Sequence, residues 1–344
     1  MVERTALLNS LAKTIADYRA GDLAPPSPDH IERWVRQFEG GVQTPLLREL
    51  DYVLKKTYFA RASVREFLDG LVEENKLAGS SPCEFWQGAS LLEIQQNGYS
   101  QTEMLELFEE SLQQYCGLPL AACTGASGHY IYLDDVLFSG NRIGNDLSAW
   151  IMTDAPQKAE VDVVVIATYK LGEWQCHERL KKDAKNAGKE IRFRFWRAES
   201  YENRRKYRDS SEVLWPVRLP EDAQLKAYMA EEEAFPFEPR MTGGRLEHNI
   251  FSSEESRQLL ERELLLAGVQ IRALSQNPSR AVRPLGFSNF GLGFGSMIVT
   301  FRNCPNNCPL ALWWGDPDAS PSSPLSKWYP LFQRKTYGVE FVFR

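Results

Sequence analysis

The sequence predicts an α/β protein in which a mostly parallel sheet is flanked by helices. Three observations lead to this. Strand-like apolar runs alternate with helical segments between about residues 89 and 197. One run, EVDVVVIATYK (160–170), is β-branched with little polar alternation, the pattern of a strand covered on both faces. The segment after it, LGEWQCHERLKKDAKNAG (171–188), has helical character and closes on Gly188 before the next strand, KEIRFRFW (189–196). That is the grammar of a crossover between parallel neighbours.

The elements follow in order. Residues 1–20 read as a helix, and the proline-rich GDLAPPSPDH (21–30) breaks it. In DHIERWVRQF, Ile31, Trp34, Val35 and Phe38 fall on one helical face. TPLLRELDYVLKKTY opens with Thr44 as N-cap and Pro45 at the first helical position. ASVREFLDGLVEENKL (62–77) reads as one further helix. ASLLEI (89–94) is then a strand, QQNGYSQ (95–101) a tight loop and TEMLELFEESLQQYCG an amphipathic helix. HYIYLDD (129–135) is the second strand and NRIGNDLSAWIMTDA the helix after it.

Residues 198–245 read as irregular. Beyond them come a helix, SSEESRQLLERELLLAG, capped by Ser252 or Ser253, and a strand at QIRAL (270–274). This divides the chain into a helical N-terminal region (1–80), an α/β core (81–200) and a mixed C-terminal extension (201–344) packed on the core.

Composition narrows the function classes. The 344 residues are 43% apolar and 25% charged, enough to build a sizeable core. A net charge of -6 argues against a general polyanion binder, so any nucleic-acid surface must be local. No run approaches a membrane span, and the charged first residues do not resemble a secretory leader. A soluble cytoplasmic protein is expected. The six cysteines include no CxxC pair, and CPNNC (304–308) has no second ligand pair nearby. Reduced thiols rather than a zinc site are expected.

The stretch YIYLDDVLFSGNRIG (130–144) carries the chemistry. An apolar strand runs into Asp134 and Asp135, and the chain then turns through Ser139, Gly140 and Asn141 into a helix. Ligands of open α/β sheets bind beyond the carboxyl ends of the strands. A turn at a helix N-terminus is an anion site. A ribose 5-phosphate fits both halves, with its phosphate on Ser139, Gly140, Asn141 and Arg142 and its hydroxyls on the two acids. The plainer alternative is a strand-to-helix turn with an aspartate as N-cap.

These residues resemble the phosphoribosyl-diphosphate motif of type I phosphoribosyltransferases, and SLLEIQQNGYSQTEMLELF resembles that fold's first strand, pyrophosphate loop and following helix. The resemblance implies a type I phosphoribosyltransferase-like core over about residues 85–200. It implies Gln96, Asn97, Gly98, Tyr99 and Ser100 as a pyrophosphate loop. It also implies Mg²⁺ contacted by Asp134 and Asp135, through water or directly.

Over nearly the whole chain, IERWVRQF, LDDVLFSGNR and GFGSMIVTFRNCPNNCPLALWW…WYPLFQR together resemble the phosphoribosyltransferase-like proteins of bacterial conflict systems. Those occur as effectors beside retron reverse transcriptases, often with a winged-helix protein. The implied activity is attack at C1 of a phosphorylated ribose (phosphoribosyl diphosphate or a nucleotide), depleting or modifying nucleotides as a toxin in antiviral defence. The implied partners are a reverse transcriptase with its RNA–DNA product and a winged-helix protein.

Two positions of the turn, Phe138 and Arg142, depart from the familiar pattern, while Ser139 keeps it. Two Thr/Ser before the glycine and a hydroxyl two after it are here Phe138, Ser139 and Arg142, and residues 96–100 contain no Lys or Arg. A nucleotide N-glycosidase, or a non-catalytic subunit that binds a nucleotide or scaffolds the nucleoprotein complex, is the alternative.

Other signals are weaker. RFRFWRAESYENRRKYR (192–208) mixes basic and aromatic residues as single-strand binding surfaces do, or is a strand and a charge-balanced loop. Trp313, Trp314 and Phe332 read as core, or as a base-stacking surface. GLGFG (291–295) reads as a turn, and His129 as structural.

Overall fold

The computed structural model describes residues 2–96, 99–231, 236–275, 278–288 and 291–334. The chain runs α1 (Val2–Thr14), α2 (Pro28–Val35), α3 (Gln43–Thr57), β1 (Tyr58–Phe59), α4 (Arg61–Glu73), α5 (Asn75–Ala78), α6 (Pro82–Gly88), β2 (Ser90–Leu91) and α7 (Ser100–Cys116). It continues through β3 (His129–Leu133), β4 (Val136–Leu137), α8 (Asn141–Thr153), β5 (Lys158–Tyr169), α9 (Lys170–Asn186) and β6 (Glu190–Tyr201). Then come α10 (Ala223–Glu231), α11 (Glu254–Arg272), β7 (Val299–Thr300) and α12 (Leu310–Trp313). The chain forms two compact units, one of residues 62–204 and one of residues 1–61 with 205–344.

The first of these units holds the parallel sheet. β2 pairs β3, β3 and β4 pair one edge of β5, and β6 pairs the other, every pairing parallel. The expected α/β class is therefore observed. β5 is buried along almost its whole length, which is why its sequence is a nearly unbroken β-branched run. Successive strand residues face opposite sides. Tyr132, Val161, Val163, Val165 and Phe193 join Ile143, Leu147 and Trp150 of α8 and Cys176 and Leu180 of α9 in one core. Ile131, Leu133 and Val164, fully buried, point to the other face.

In the second unit, α1 packs against α2 and α3, α3 against α11, and β1 pairs β7 in parallel. Arg257, buried in α11, donates to Glu261, which also accepts the Trp215 amide at 2.9 Å, so the buried charges are hydrogen-bonded. Ser253 caps α11 by accepting from Ser256 N at 3.1 Å. Ser253→Ala is expected to lower stability by about 1 kcal/mol, read as an earlier midpoint in urea unfolding.

Several expectations are corrected. α3 starts at Gln43 after Val42, not with Thr44 as N-cap. Gln43 and Thr44 instead accept from Arg4, and Gln43 donates to the Phe38 carbonyl, so tertiary bonds take the capping groups. The helix expected over 62–77 breaks at Glu74, whose carboxylate caps Lys76 N at 3.0 Å. QIRAL is not a strand: through Arg272 it is the end of α11, with Val269 and Ile271 buried, and an apolar run of that length fits either state. The 198–245 stretch is not wholly irregular, since β6 continues to Tyr201 and α10 lies within it. Cys83 and Cys116 are not reduced thiols but a disulfide, with a Cα–Cα separation of 5.4 Å. It joins the first turn of α6 to the last of α7.

Candidate functional site

The aspartate pair sits inside a strand line rather than after one. Leu133 faces Val164 and Val136 faces Ala167, so β3 and β4 share one register along β5. The ladder runs through the acids: Asp134 N donates to Val164 O at 3.0 Å, and Ile166 N to Asp135 O at 2.8 Å. Both backbones are thereby fixed. Each carboxylate also accepts from the next amide, Asp134 Oδ1 from Asp135 N at 2.9 Å and Asp135 Oδ1 from Val136 N at 2.7 Å.

Two residues later the chain turns. Gly140, at φ 74°, is the N-cap of α8, so the plain reading of an aspartate as cap does not hold. Ser139 Oγ lies 3.4 Å from Asn141 N and supports the first turn. Amides of a first turn lack intrahelical acceptors and carry the positive end of the helix dipole. The turn is pressed onto α9: a Cβ on Gly172 would lie 1.9 Å from the Phe138 carbonyl oxygen. Phe138, which stands where a hydroxyl is familiar, packs its ring 5.8 Å from that of Tyr169, and Tyr169 in turn lies 5.8 Å from Tyr201. It is part of an aromatic stack.

Asp134 is 2% exposed. Burial first, and the neighbouring Asp135 second, push its carboxyl up to about 6, against the opposing pull of Arg142 and a hydrogen bond with Ser100. Arg142 Nη1 donates to Ser100 Oγ at 3.3 Å, so α7 and α8 meet at the acid through their first turns. The structure thus brings together Asp134, Asp135, Ser100 and Arg142 from residues far apart in sequence.

Sequence reasoning missed Asp146. It is 3% exposed, accepts from Tyr132 Oη at 2.9 Å and from Gln96 N at 3.3 Å, and burial raises its carboxyl above the usual range. The available signal was a charge on the stripe Ile143, Leu147, Trp150 of α8. In the candidate pyrophosphate loop, Asn97 and Gly98 lie outside the described residues. Gln96 precedes them, while Tyr99 is 56% exposed and Ser100 is buried.

The described residues contain no cluster of three or more His, Cys, Asp or Glu able to hold a metal ion. The donors suited to Mg²⁺ are the two carboxylates, of which Asp135 is the less buried. Such a sparse set fits an ion that keeps several waters and takes substrate oxygens as ligands.

The competing signals resolve locally. Arg194 forks onto Asp162 at 2.7 and 2.8 Å, Arg197 pairs Glu173 at 3.0 Å, and Arg204 pairs Glu202 at 2.7 Å. Arg205 pairs Glu238, so the basic stretch is largely neutralised by neighbours. Trp313, Trp314 and Phe332 are buried, and Trp313 donates to Cys308 O at 2.7 Å. His129 Nδ1 lies 3.9 Å from Asp162, with its ring against Phe85. No described helix is long and apolar enough to cross a membrane.

A parallel sheet whose central strand line carries an acid pair, followed at once by a glycine-capped helix, defines a phosphoribosyltransferase-like α/β protein. The chain belongs to the PRTase-CE family, the phosphoribosyltransferase-like conflict effectors, whose family model matches residues 31–334. No curated protein and no solved structure shows significant similarity to it.

Proposed function

We propose that this protein is a conflict-system effector that binds a ribose 5-phosphate unit at residues 134–142 and acts at its C1. Asp135 and Asp134 take the ribose hydroxyls, and Ser139, Gly140, Asn141 and Arg142 take the phosphate. One observation carries the reading: a buried acid kept on the sheet although burial disfavours its charge, beside a helix N-terminus and a guanidinium. Buried carboxyls of that kind cluster at functional sites.

Breaking the bond at C1 develops positive charge on the ribose ring. The two carboxylates stabilise that charge, and the phosphate anchor holds C1 in place. Mg²⁺, held by Asp135 through water, would polarise the diol and the leaving group. In the cell, the activity would deplete nucleotides during phage infection. Placement beside a retron reverse transcriptase with its RNA–DNA product and a winged-helix protein is part of this proposal.

The test pairs binding with toxicity. Ribose 5-phosphate should bind the full chain, and the double variant Asp134→Ala, Asp135→Ala should bind it at least ~100-fold more weakly, as expected when two hydrogen-bonded charges are lost. Nucleotide pools in cells expressing the folded double variant should stay at control levels. Toxicity that persists in that variant removes the site from the effector function.

A second reading, a non-catalytic nucleotide-binding or scaffold subunit, is favoured by Phe138, whose ring serves packing at a position where enzymes carry a hydroxyl. Release of free base or pyrophosphate by the purified protein would eliminate it.

A further inference from the structure

The outer edge of β6 is open. Among the described strands, only β5 pairs with β6. Glu190 N donates to Gln157 O at 2.8 Å, so Glu190 and every second residue after it turn their main-chain groups to β5. Ile191 and Phe193 turn theirs outward. His177 of α9 hydrogen-bonds the Phe193 backbone, a bond that favours the protonated ring and so ends on the carbonyl. No described residue hydrogen-bonds the Ile191 amide, the Ile191 carbonyl or the Phe193 amide. Edge groups left in this state are a template for another strand.

Beside that edge lies a groove of about 650 Å³, between α9 and residues 189–193. Its floor is apolar: Ala184 and Phe193 are buried, and Ile191 packs on the same core. Its rim is basic. Lys181 and Lys185 stand exposed, four residues apart on one face of α9. Lys185 has no acidic partner among the described residues. Lys181 pairs with Glu178 at 3.2 Å, but both side chains are more than half exposed and the pair is worth little. Lys189 adds a third cation, its Nζ anchored on the carbonyls of Ile151 and Ala155 at 2.6 Å. The acid on the lining, Glu190, is already paired with Lys158 at 2.9 Å.

We propose that this groove docks an extended acidic segment of a partner protein. The segment adds a strand to β6 at Ile191 and Phe193, lays an apolar side chain on the floor at Ala184, and sets its carboxylates on Lys181 and Lys185. In such an addition the main-chain bonds supply affinity, and the pockets for alternate side chains supply specificity. A second copy of this chain is a poorer occupant, because pairing along the same edge brings an identical lysine rim against this one. So is a nucleic-acid strand: the phenylalanine of the groove, Phe193, is buried and offers a base no face to stack on. The groove is separate from residues 134–142 and does not rest on the ribose-phosphate reading.

The probe is a pool of synthetic peptides of about six residues, with glutamate at alternate positions and randomised apolar residues between them. Members of the pool should bind the full chain saturably, and binding should slow amide exchange at Ile191 and Phe193. A matching pool with lysine in place of glutamate should not bind. Lys181→Glu combined with Lys185→Glu should weaken the best peptide by about ten-fold or more, the scale of two reversed rim charges. Ile191→Pro removes an amide that β5 does not use, and should weaken binding comparably in a protein that urea unfolding shows to be folded. Three results overturn the proposal: no acidic peptide binds, the lysine double variant binds the best peptide as well as wild type, or exchange at Ile191 and Phe193 does not change. Tighter binding of oligothymidylate, abolished by the same double variant, would make the groove a nucleic-acid site. Self-association of the full chain, lost in that variant, would make it an interface between copies. Either outcome removes the acidic partner.

Discussion

Asp134→Asn is expected to stabilise the protein and to abolish ribose-phosphate binding. The carboxyl of Asp134 is pushed up to about 6 by burial and by Asp135. A group whose pKa rises on folding holds its proton in the folded state after the unfolded chain has lost it. Between roughly pH 4 and pH 6 the folded state therefore binds more protons, and stability falls as pH rises. Above that window the full penalty is present, on the order of 1–3 kcal/mol.

Asparagine keeps an acceptor for Asp135 N and removes the charge. Urea unfolding should show wild type and variant nearly equal at pH 4, with the variant pulling ahead through pH 6 and the gap constant from about pH 7. Calorimetry should show ribose 5-phosphate binding lost over the same range. If the variant is less stable than wild type at pH 7.5, then Arg142 and Ser100 outweigh burial, and the acid is structural. A stabilising substitution that removes function is the signature of a site kept at the expense of stability.

How much of this was legible in the sequence depends on the range of the forces involved. β5 was readable because burial on both faces writes itself into consecutive residues. The acid pair and the glycine turn were readable because strand, turn and helix are contiguous. That the acids lie within the ladder was not: the register depends on pairing with β5, some thirty residues away. Asp146 was hidden for a similar reason. Its meaning comes from Tyr132 on β3 and Gln96 at the loop, and neither is near it in the chain. Phe138 looked like a defect in a phosphate loop, and only its contact with Tyr169 shows that the position serves packing. The end of α11 misread as a strand is a different failure, since a short apolar run carries no period long enough to separate the two states.

The same distinction, between what a residue is and what it lies against, sets the other large effect. Gly172 is in the first turn of α9, where propensity alone says alanine should be better by up to about 1 kcal/mol. The backbone says otherwise. A Cβ there would lie 1.9 Å from Phe138 O and 3.0 Å from Ser139 C, against main chain that cannot swing away as a side-chain tip would. Gly140, at φ 74°, holds the facing position and is equally closed, with a Cβ 2.6 Å from Gly172 O. Gly172→Ala must therefore push the 138–140 turn off α9, at a cost of roughly 2–4 kcal/mol. The turn that would carry the phosphate moves with it. Gly70→Ala in α4, where a Cβ meets nothing within 4 Å, is the matched control and should be neutral or stabilising. Urea midpoints and ribose 5-phosphate affinity measured on both variants should separate sharply, with Gly172→Ala losing both and Gly70→Ala neither. Equal stability of the two would mean that the turn yields without penalty, and a turn that soft would not hold a phosphate in register with Asp134 and Asp135.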